Sequence, residues 1–397
     1  MSIVNGRVVV KFGGADLATA ERIKKAAEMV LKAGFKETVV VVSAIGNTTD
    51  SFINIISHLG NVSDKDYADI VSMGERTSAR IFCAALKALG AEAVYLEPGR
   101  EKWPIITDSS FRDAKPDMRE TSFRVQKYIE PLLSAEKIVV VCGFLGEDKD
   151  GNVTTLGRGG SDTTAMVLAN CLKAEEIILV KETEGVLSAD PKIVESPRTL
   201  DKVGIHEMFA LAHGGAKIIK AEALKYKLPG QKLRVVSFSS GDLRSSGTEI
   251  VGVFNSNSFE VGEERNLASI SLICNINPEN LSQIFSCFAG SKILGVSTGR
   301  FSVTVFVSTG DLKGLMNKLH SLSFVKALSC LNNIGLIEVS HPVFIDSPGW
   351  VAKIAGALAS KGINIIEVTT SKATINIFVN GDKINEAIMV VRDALEA

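Results

Sequence analysis

Short valine- and isoleucine-rich runs, separated by segments of helical period, constrain this chain more than any other feature. Residues 7–11, 38–43, 138–143 and 177–180 carry consecutive β-branched residues instead of alternating apolar and polar ones. A strand that is apolar on both faces belongs in a sheet covered on both faces, and such sheets are mostly parallel with helical crossovers. Between the first two runs, Ile23, Ala26, Ala27, Val30 and Leu31 recur at helical spacing, which places them on one helix face. The pattern predicts an α/β fold, a three-layer αβα sandwich, for residues 1–254. Within it, Asp150-Gly151 sits between short apolar runs and marks a hairpin turn.

The pattern changes near residue 254. Residues 255–265 are polar and lack a period, so we expect a linker there. Beyond it the chain repeats itself. Pro278-Glu-Asn-Leu-Ser-Gln-Ile-Phe resembles Pro348-Gly-Trp-Val-Ala-Lys-Ile-Ala, and Val303, Val305 and Val307 correspond to Ile375, Ile377 and Val379. Each copy reads strand, helix, two strands, helix. That order predicts two small α+β modules with helices on one face of an antiparallel sheet, at 266–335 and 336–397.

Composition excludes several classes. The chain has 397 residues, 44 Lys+Arg against 45 Asp+Glu, and a formal net charge of −1. A balanced charge argues against a nucleic-acid binder, which needs a clustered basic surface. No apolar run approaches the ~18–20 residues that span a bilayer. The N-terminus has no basic region followed by a long apolar stretch, so no signal peptide is expected. The six cysteines form no CxxC pair and fall mostly within apolar patterns. Reduced, buried thiols in the cytoplasm are the expectation. The five histidines are scattered, without the spacing of a zinc site, and no metal-ligating side chains are assigned.

Five motifs carry chemistry. Lys11-Phe12-Gly13-Gly14 ends the first strand. Glycines let a ligand approach the backbone, a helix N-terminus after them attracts anions, and a lysine meets phosphate as a point charge. No GxxxxGK[ST] loop occurs. Gly157-Arg158-Gly159-Gly160-Ser161-Asp162 precedes the helical stripe Ala165, Leu168, Ala169 and Leu172. Ser161 is the expected N-cap, Arg158 can grip a carboxylate with its fork, and Asp162 falls in the first turn, where it also complements the helix dipole. Met73-Gly74-Glu75-Arg76 runs into a helix; Glu75 either holds an ammonium group or is a solvated helix-start glutamate. The loop from Lys181 and Glu182 through Leu187 to Lys192 follows a strand, where open α/β sheets bind ligands. Gly214-Gly215-Ala216-Lys217 starts or continues a helix, and Lys217 is either a second site lysine or a surface one.

In this order, together with the segment from Ser43 through Thr49, these motifs resemble aspartate kinase of the amino acid kinase superfamily. The tail resembles the paired ACT regulatory modules of that family. The resemblance implies transfer of the γ-phosphoryl of Mg-ATP to the side-chain carboxylate of aspartate. Catalysis then consists mainly of neutralising charge and positioning two anions. By resemblance, Lys11, Asp162 and Lys217 are catalytic, with Asp162 orienting the lysines. Ser43, Thr49, Glu75, Arg158 and Ser161 bind the amino acid. Lys11, Gly13, Gly14, Lys181, Glu182, Leu187, Lys192 and Lys217 bind nucleotide. Asp346, Ser347, Gly349, Asn364 and Ile365 correspond to an effector site. Ser347 or Asp346 alternatively caps the helix that follows. Edge-to-edge pairing of the modules implies a homodimer or higher homo-oligomer.

The chain departs from the family at Ala15-Asp16, where Thr-Ser is usual, and at Lys181-Glu182, where Thr-Asp is usual. Leu187 replaces a frequent tyrosine, Lys192 an arginine and Lys220 a histidine. The resemblance leaves two alternatives open. One is a paralogous kinase acting on another acceptor, such as the homoserine hydroxyl, whose proton Asp162 or Asp16 would accept. The other is a catalytically weak, amino-acid-binding regulatory subunit.

Overall fold

The computed structural model describes residues 4–216, 218–254, 258–341, 343–371 and 373–396. Lys217 therefore lies outside the described residues. The chain forms two compact units, Met1–Phe254 and Asn255–Ala397.

Among the described residues the first unit holds ten strands: β1 (Val4–Phe12), β2 (Phe35–Val42), β3 (Ala93–Leu96), β4 (Ile138–Cys142), β5 (Leu145–Glu147), β6 (Val153–Thr155), β7 (Glu176–Lys181), β8 (Lys202–Gly204), β9 (Lys232–Ser237) and β10 (Thr248–Val251). Its helices are α1 (Ala20–Ala33), α2 (Thr48–Ser57), α3 (Asp64–Ala88), α4 (Met118–Arg124), α5 (Glu130–Ser134), α6 (Gly160–Leu172) and α7 (Ile205–His213). Eight strands make one sheet in the order β3-β4-β2-β1-β7-β9-β10-β8. Every pair is parallel except β9 with β10. Val39 to Val42 and Val139 to Val141 are fully buried, because helices cover both faces. The expected αβα sandwich is what these residues form. β5 and β6 make the hairpin around Asp150-Gly151, with Gly151 at φ 80°.

β1 lies between β2 and β7, and the chain winds outward from it in both directions. The carboxyl ends of such central strands border a crevice, since the connections that follow them diverge. Lys11, Ser43 and Lys181 all stand at that edge.

The second unit contains β11 (Glu260–Ile273), α8 (Pro278–Cys287), β12 (Lys292–Thr298), β13 (Ser302–Ser308), α9 (Leu312–His320), β14 (Ala327–Ser340), α10 (Val343–Asp346), α11 (Trp350–Ser360), β15 (Ile365–Ser371), β16 (Thr374–Asn380) and α12 (Ile384–Glu396). The repeat read from the sequence is present. Val303, Val305 and Val307 pack under α8 and α9, and Ile375, Ile377 and Val379 pack under α11 and α12.

The two copies are interleaved, which the sequence did not reveal. Residues 260–265, expected as linker, belong to β11 and pair with β14 from Glu260↔Ser340 to Glu264↔Leu336. The expected boundary at 335/336 falls inside β14. The sheet order is β12-β13-β11-β14-β16-β15, so each half completes four strands by borrowing one segment of β11 and one of β14. The copy spanning α8 and α9 is thereby inserted within the other. Asn266 and Asn333 break the long strands with φ of 57° and 56°, beside the register shifts of β11. At ~4.8 Å per strand, β13 and β16 would stand ~14 Å apart in a flat sheet. Instead Phe306 stacks on Phe378 with centroids 3.8 Å apart. The sheet folds at the breaks, and its two halves close on a core of Leu267, Phe306, Ile334, Leu336 and Phe378.

Candidate active site

The site is built at the carboxyl edge of β1, β2 and β7. Lys11, next to last in β1, points its ammonium at Asp162, with Nζ 2.8 Å from Oδ1 and both side chains buried. Asp162 comes from the first turn of α6, a helix buried along nearly its whole length. Its other oxygen lies 3.4 Å from Lys181 Nζ, at the end of β7, and accepts the Lys220 backbone N–H at 3.3 Å. Burial alone would raise the Asp162 pKa, but the neighbouring Lys11 and Lys181 charges hold it down at about 2. The reverse holds for Lys181. Burial lowers its pKa to about 8, although Asp162 opposes the shift.

The helix start differs from the sequence expectation. Gly159, at φ 73°, is the N-cap and Ser161 lies inside the first turn. A side chain on Gly159 would meet Lys220 Cβ at 2.8 Å, so glycine is required where Lys220 packs beneath the loop. Ser161 is left free of capping, and its hydroxyl accepts a hydrogen bond from Ser43 at 2.9 Å. Arg158 is exposed between the two left-handed glycines, Gly157 and Gly159.

Glu75 lies in the middle of the 25-residue α3, not in a solvated first turn. Gly74 explains its depth: a Cβ there would sit 2.8 Å from Ala44 Cβ, so α3 presses directly on the loop after β2. Glu75 is 3% exposed. Its Oε1 accepts the Ala44 N–H at 3.2 Å and the Thr49 hydroxyl at 3.4 Å. Its Oε2 has no protein partner. Burial raises the carboxyl pKa to about 8, against those two donors. A buried carboxyl with one empty oxygen suits a ligand that brings its own positive charge.

The glycine turn after β1 is also arranged differently from the expectation. No α-helix starts at Gly13-Gly14. A 3-10 turn, Ala15–Leu17, follows, and α1 starts at Ala20 with Thr19 as its cap. Gly14 is needed for close approach, since a Cβ there would lie 2.6 Å from the Gly46 carbonyl. The Gly13 N–H, expected to face phosphate, donates to Asp16 Oδ2 at 2.8 Å. Asp16 is 1% exposed, its pKa raised to about 7 by burial and by Glu182. Arg22 bridges the pair, with its Nη2 4.0 Å from Asp16 Oδ1 and in closer contact with Glu182. Arg22 and Lys220 were not assigned to the site from the sequence, and Asp16 only as one of two bases in the homoserine alternative. Asp16 and Lys220 are visible as departures from the family pattern, whereas Arg22 gives no signal beyond a charge near a helix start.

The remaining expected residues make none of the contacts described above. Leu187 is half-buried and bridges to Thr199, while Lys192 is exposed in a turn where its N–H donates to Asp190. The Gly214-Gly215 segment ends α7 instead of starting a helix, with Gly215 at φ 103°. In the second unit Gly349, at φ 97°, is the N-cap of α11, which has no side-chain cap, so Ser347 is not its cap. Ser347 is half-buried just past α10, which ends at Asp346, a residue whose side chain lies outside those described. Asn364 is exposed immediately before β15, and Ile365 opens that edge strand.

Comparison with known proteins bears on the family and the fold. The amino acid kinase family pattern matches residues 6–237, and an ACT domain pattern matches residues 332–393. The aspartokinase of Pseudomonas aeruginosa is 31% identical over 423 residues, covering 98% of this chain and 97% of that protein. The crystal structure of aspartate kinase from Synechocystis superposes with a TM-score of 0.74 at 25% identity, covering 98% of this chain and 70% of that one. The structure of E. coli aspartokinase III in complex with aspartate and ADP shares the fold, with a TM-score of 0.57 at 23% identity over 98% of this chain and all of that one. With the family pattern covering its first unit and near full-length similarity to an aspartokinase, this chain belongs to the aspartokinase family of amino acid kinases.

Proposed function

We propose that this protein phosphorylates the side-chain carboxylate of L-aspartate with ATP, giving 4-phospho-L-aspartate, the first step of the aspartate-family amino acid pathway. Residues 1–254 carry catalysis, and the interleaved ACT modules bind an amino acid effector. The observation that carries this reading is a pair of unlike groups at the carboxyl edge of one sheet. Glu75 offers an uncompensated carboxyl oxygen for an ammonium group, and Lys11 with Lys181 concentrates positive charge where phosphate would lie.

In the reaction an aspartate carboxylate oxygen attacks the γ-phosphorus. The bond to the β–γ bridging oxygen breaks, and its electron pair leaves with ADP. A carboxylate acceptor is already ionised at neutral pH, so no general base is needed. This suits Asp162, whose pKa near 2 makes it a poor base and a strong anchor for lysines. Lys11 neutralises charge on the transferring group, which is the main task of a phosphoryl-transfer site. Lys217 is assigned beside it by resemblance. Arg158 reaches for the α-carboxylate, and Ser43, Thr49 and Ser161 surround the amino acid.

The nucleotide-binding assignments of Gly13, Gly14, Glu182, Leu187 and Lys192 rest on the same resemblance. Mg²⁺ fits as an ion carried by nucleotide phosphates and water, a binding mode that asks little of the protein. Among the described residues no cluster of three or more acidic, histidine or cysteine side chains forms a separate metal cage. The edge strands β12 and β15 are the natural surfaces for homodimer pairing, and Ser347, Gly349, Asn364 and Ile365 border the effector site. No described helix is long and apolar enough to cross a membrane, and we place the enzyme in the cytoplasm.

Asp16 favours one competing reading. With a pKa near 7, it has the basicity that a hydroxyl acceptor such as homoserine would demand. Turnover of Mg-ATP with aspartate and with homoserine in parallel, trapped with hydroxylamine, separates the two. A hydroxamate formed with aspartate supports the carboxylate kinase. ADP release with homoserine and no hydroxamate refutes it.

A further inference from the structure

Two segments that depart from the family pattern, Ala15-Asp16 and Lys181-Glu182, meet in space. Lys181 reaches Asp162 from β7, and Glu182 joins Asp16 through Arg22. One departure adds a cation, which pairs with Asp162, and the other an anion, which takes the Gly13 amide. Lys11 pairs in register with Leu179, and Lys181 lies two residues further on, so both lysines project from the same face of adjacent strands. Asp162 holds one on each oxygen. A single carboxylate between two ammonium groups leaves one positive charge unbalanced.

We propose that Lys181 contacts the phosphate chain of the nucleotide as a second phosphoryl-facing lysine beside Lys11, and that Asp16 occupies the Gly13 amide until phosphate displaces it. This deepens the reading above, which it presupposes for the nucleotide but not for the acceptor. It moves Lys181 away from the adenine and ribose side, where resemblance alone would leave it. The phosphate oxygens then supply the anion that the Lys11–Asp162–Lys181 group lacks. The displaced Asp16 carboxyl keeps Arg22 as its partner.

The groups facing Lys181 are Asp162, Lys11 and Asp16, with Glu182 and Arg22 behind Asp16. Lys181 loses its charge near pH 8 and Asp16 gains its charge near pH 7. Both changes weaken phosphate binding as pH rises. Asp16→Asn isolates the Lys181 contribution.

The test compares ATP and AMP binding by calorimetry on the full chain, with aspartate-dependent ADP release measured alongside. Lys181→Met is expected to weaken ATP binding ~10-fold and leave AMP binding unchanged, a selective loss worth one charge-assisted contact. Turnover should fall ~100-fold, as when one preorganised transition-state contact is removed. Lys181→Arg should restore ATP affinity and hold it above pH 8. If Lys181→Met binds ATP like the wild type, the proposal is overturned. An equal loss of AMP affinity also overturns it, because Lys181 would then serve the nucleoside or the fold. If Lys181→Met does not fold, the Asp16→Asn protein decides. Its ATP affinity must fall through pH 8 while its AMP affinity stays level, and a level ATP affinity refutes the assignment. Wild-type protein that binds ATP in this way but shows no aspartate turnover would refute the proposed acceptor and leave Lys181 in place.

Discussion

Glu75 and Asp162 are both carboxylates on helices, both almost fully buried, and both at the carboxyl edge of one sheet. Their environments drive them apart, to a pKa of about 8 for Glu75 and about 2 for Asp162. The difference lies in the partners. Asp162 meets two lysine ammonium groups and a backbone N–H, whereas Glu75 meets one N–H and one hydroxyl and keeps an unpaired oxygen. Burial raises a carboxyl pKa until positive charge or hydrogen-bond donors outweigh it. The Asp162 charge is therefore matched within the protein, whereas Glu75 waits for a charge that the ligand brings.

Removing Asp162 should produce the largest effect. Asp162→Ala leaves Lys11 and Lys181 facing each other without a counter-ion. Turnover is expected to fall ~10³-fold, and stability by roughly 3–5 kcal/mol, the cost of breaking a buried pair. Steady-state kinetics and thermal melts measure both. A variant that keeps wild-type turnover would remove Asp162 from the catalytic group. Lys11→Ala should lower kcat ~10²–10³-fold with little change in the KM for aspartate, since its charge is wanted most in the transition state. A change confined to that KM would place Lys11 on the amino acid instead.

Glu75→Gln should reverse that division, raising the KM for aspartate ~10–100-fold with a smaller change in kcat. In the wild type, that KM should fall as pH rises from 6 toward 8, because Glu75 must lose its proton to hold an ammonium group. The glutamine variant should lack this slope, and the same slope in both proteins would contradict the role. Stability follows the same pKa with the opposite sign. The unfolded chain releases this proton near 4.5 and the folded chain near 8, so wild-type stability declines across that interval. Glu75→Gln should melt higher than the wild type at pH 8, with the gap closing as the pH falls below about 4.5.

The smallest effect on turnover is expected in the second unit. Phe378→Ala removes the ring stacked on Phe306 in the fold of the second sheet. It should destabilise the second unit by ~3–5 kcal/mol and blunt any effector response, while basal turnover at low temperature persists. Melts followed with and without candidate amino acids would show it. Loss of basal turnover would mean that catalysis depends on an intact second unit.

How much of this was legible depended on the range of the interaction. The valine runs read as buried strands because a run apolar at every position has one common solution, a strand between two layers. The repeat read correctly because Val303, Val305 and Val307, like their counterparts at 375, 377 and 379, alternate with the period of a half-buried strand. The motif glycines pointed to the right loops but not to their geometry. Gly13-Gly14 read as an open anion cradle, yet Asp16 takes the first amide and the Gly46 carbonyl crowds the second residue. Ser161 read as a cap, yet Gly159 holds that position, because only a residue without a side chain clears Lys220.

The sequence by itself determined the layered architecture, the order of the motifs and the lysine, carboxylate and arginine residues available for chemistry. These depend on local periodicity and residue type, which are written along the chain. Tertiary structure alone decided that β11 and β14 each serve both regulatory modules, that Glu75 lies buried with one empty oxygen, and that Lys181 joins Lys11 on Asp162. Each of these is a contact between segments far apart in sequence. Its energy depends on burial and on the charges facing it, and neither exists until the chain has folded.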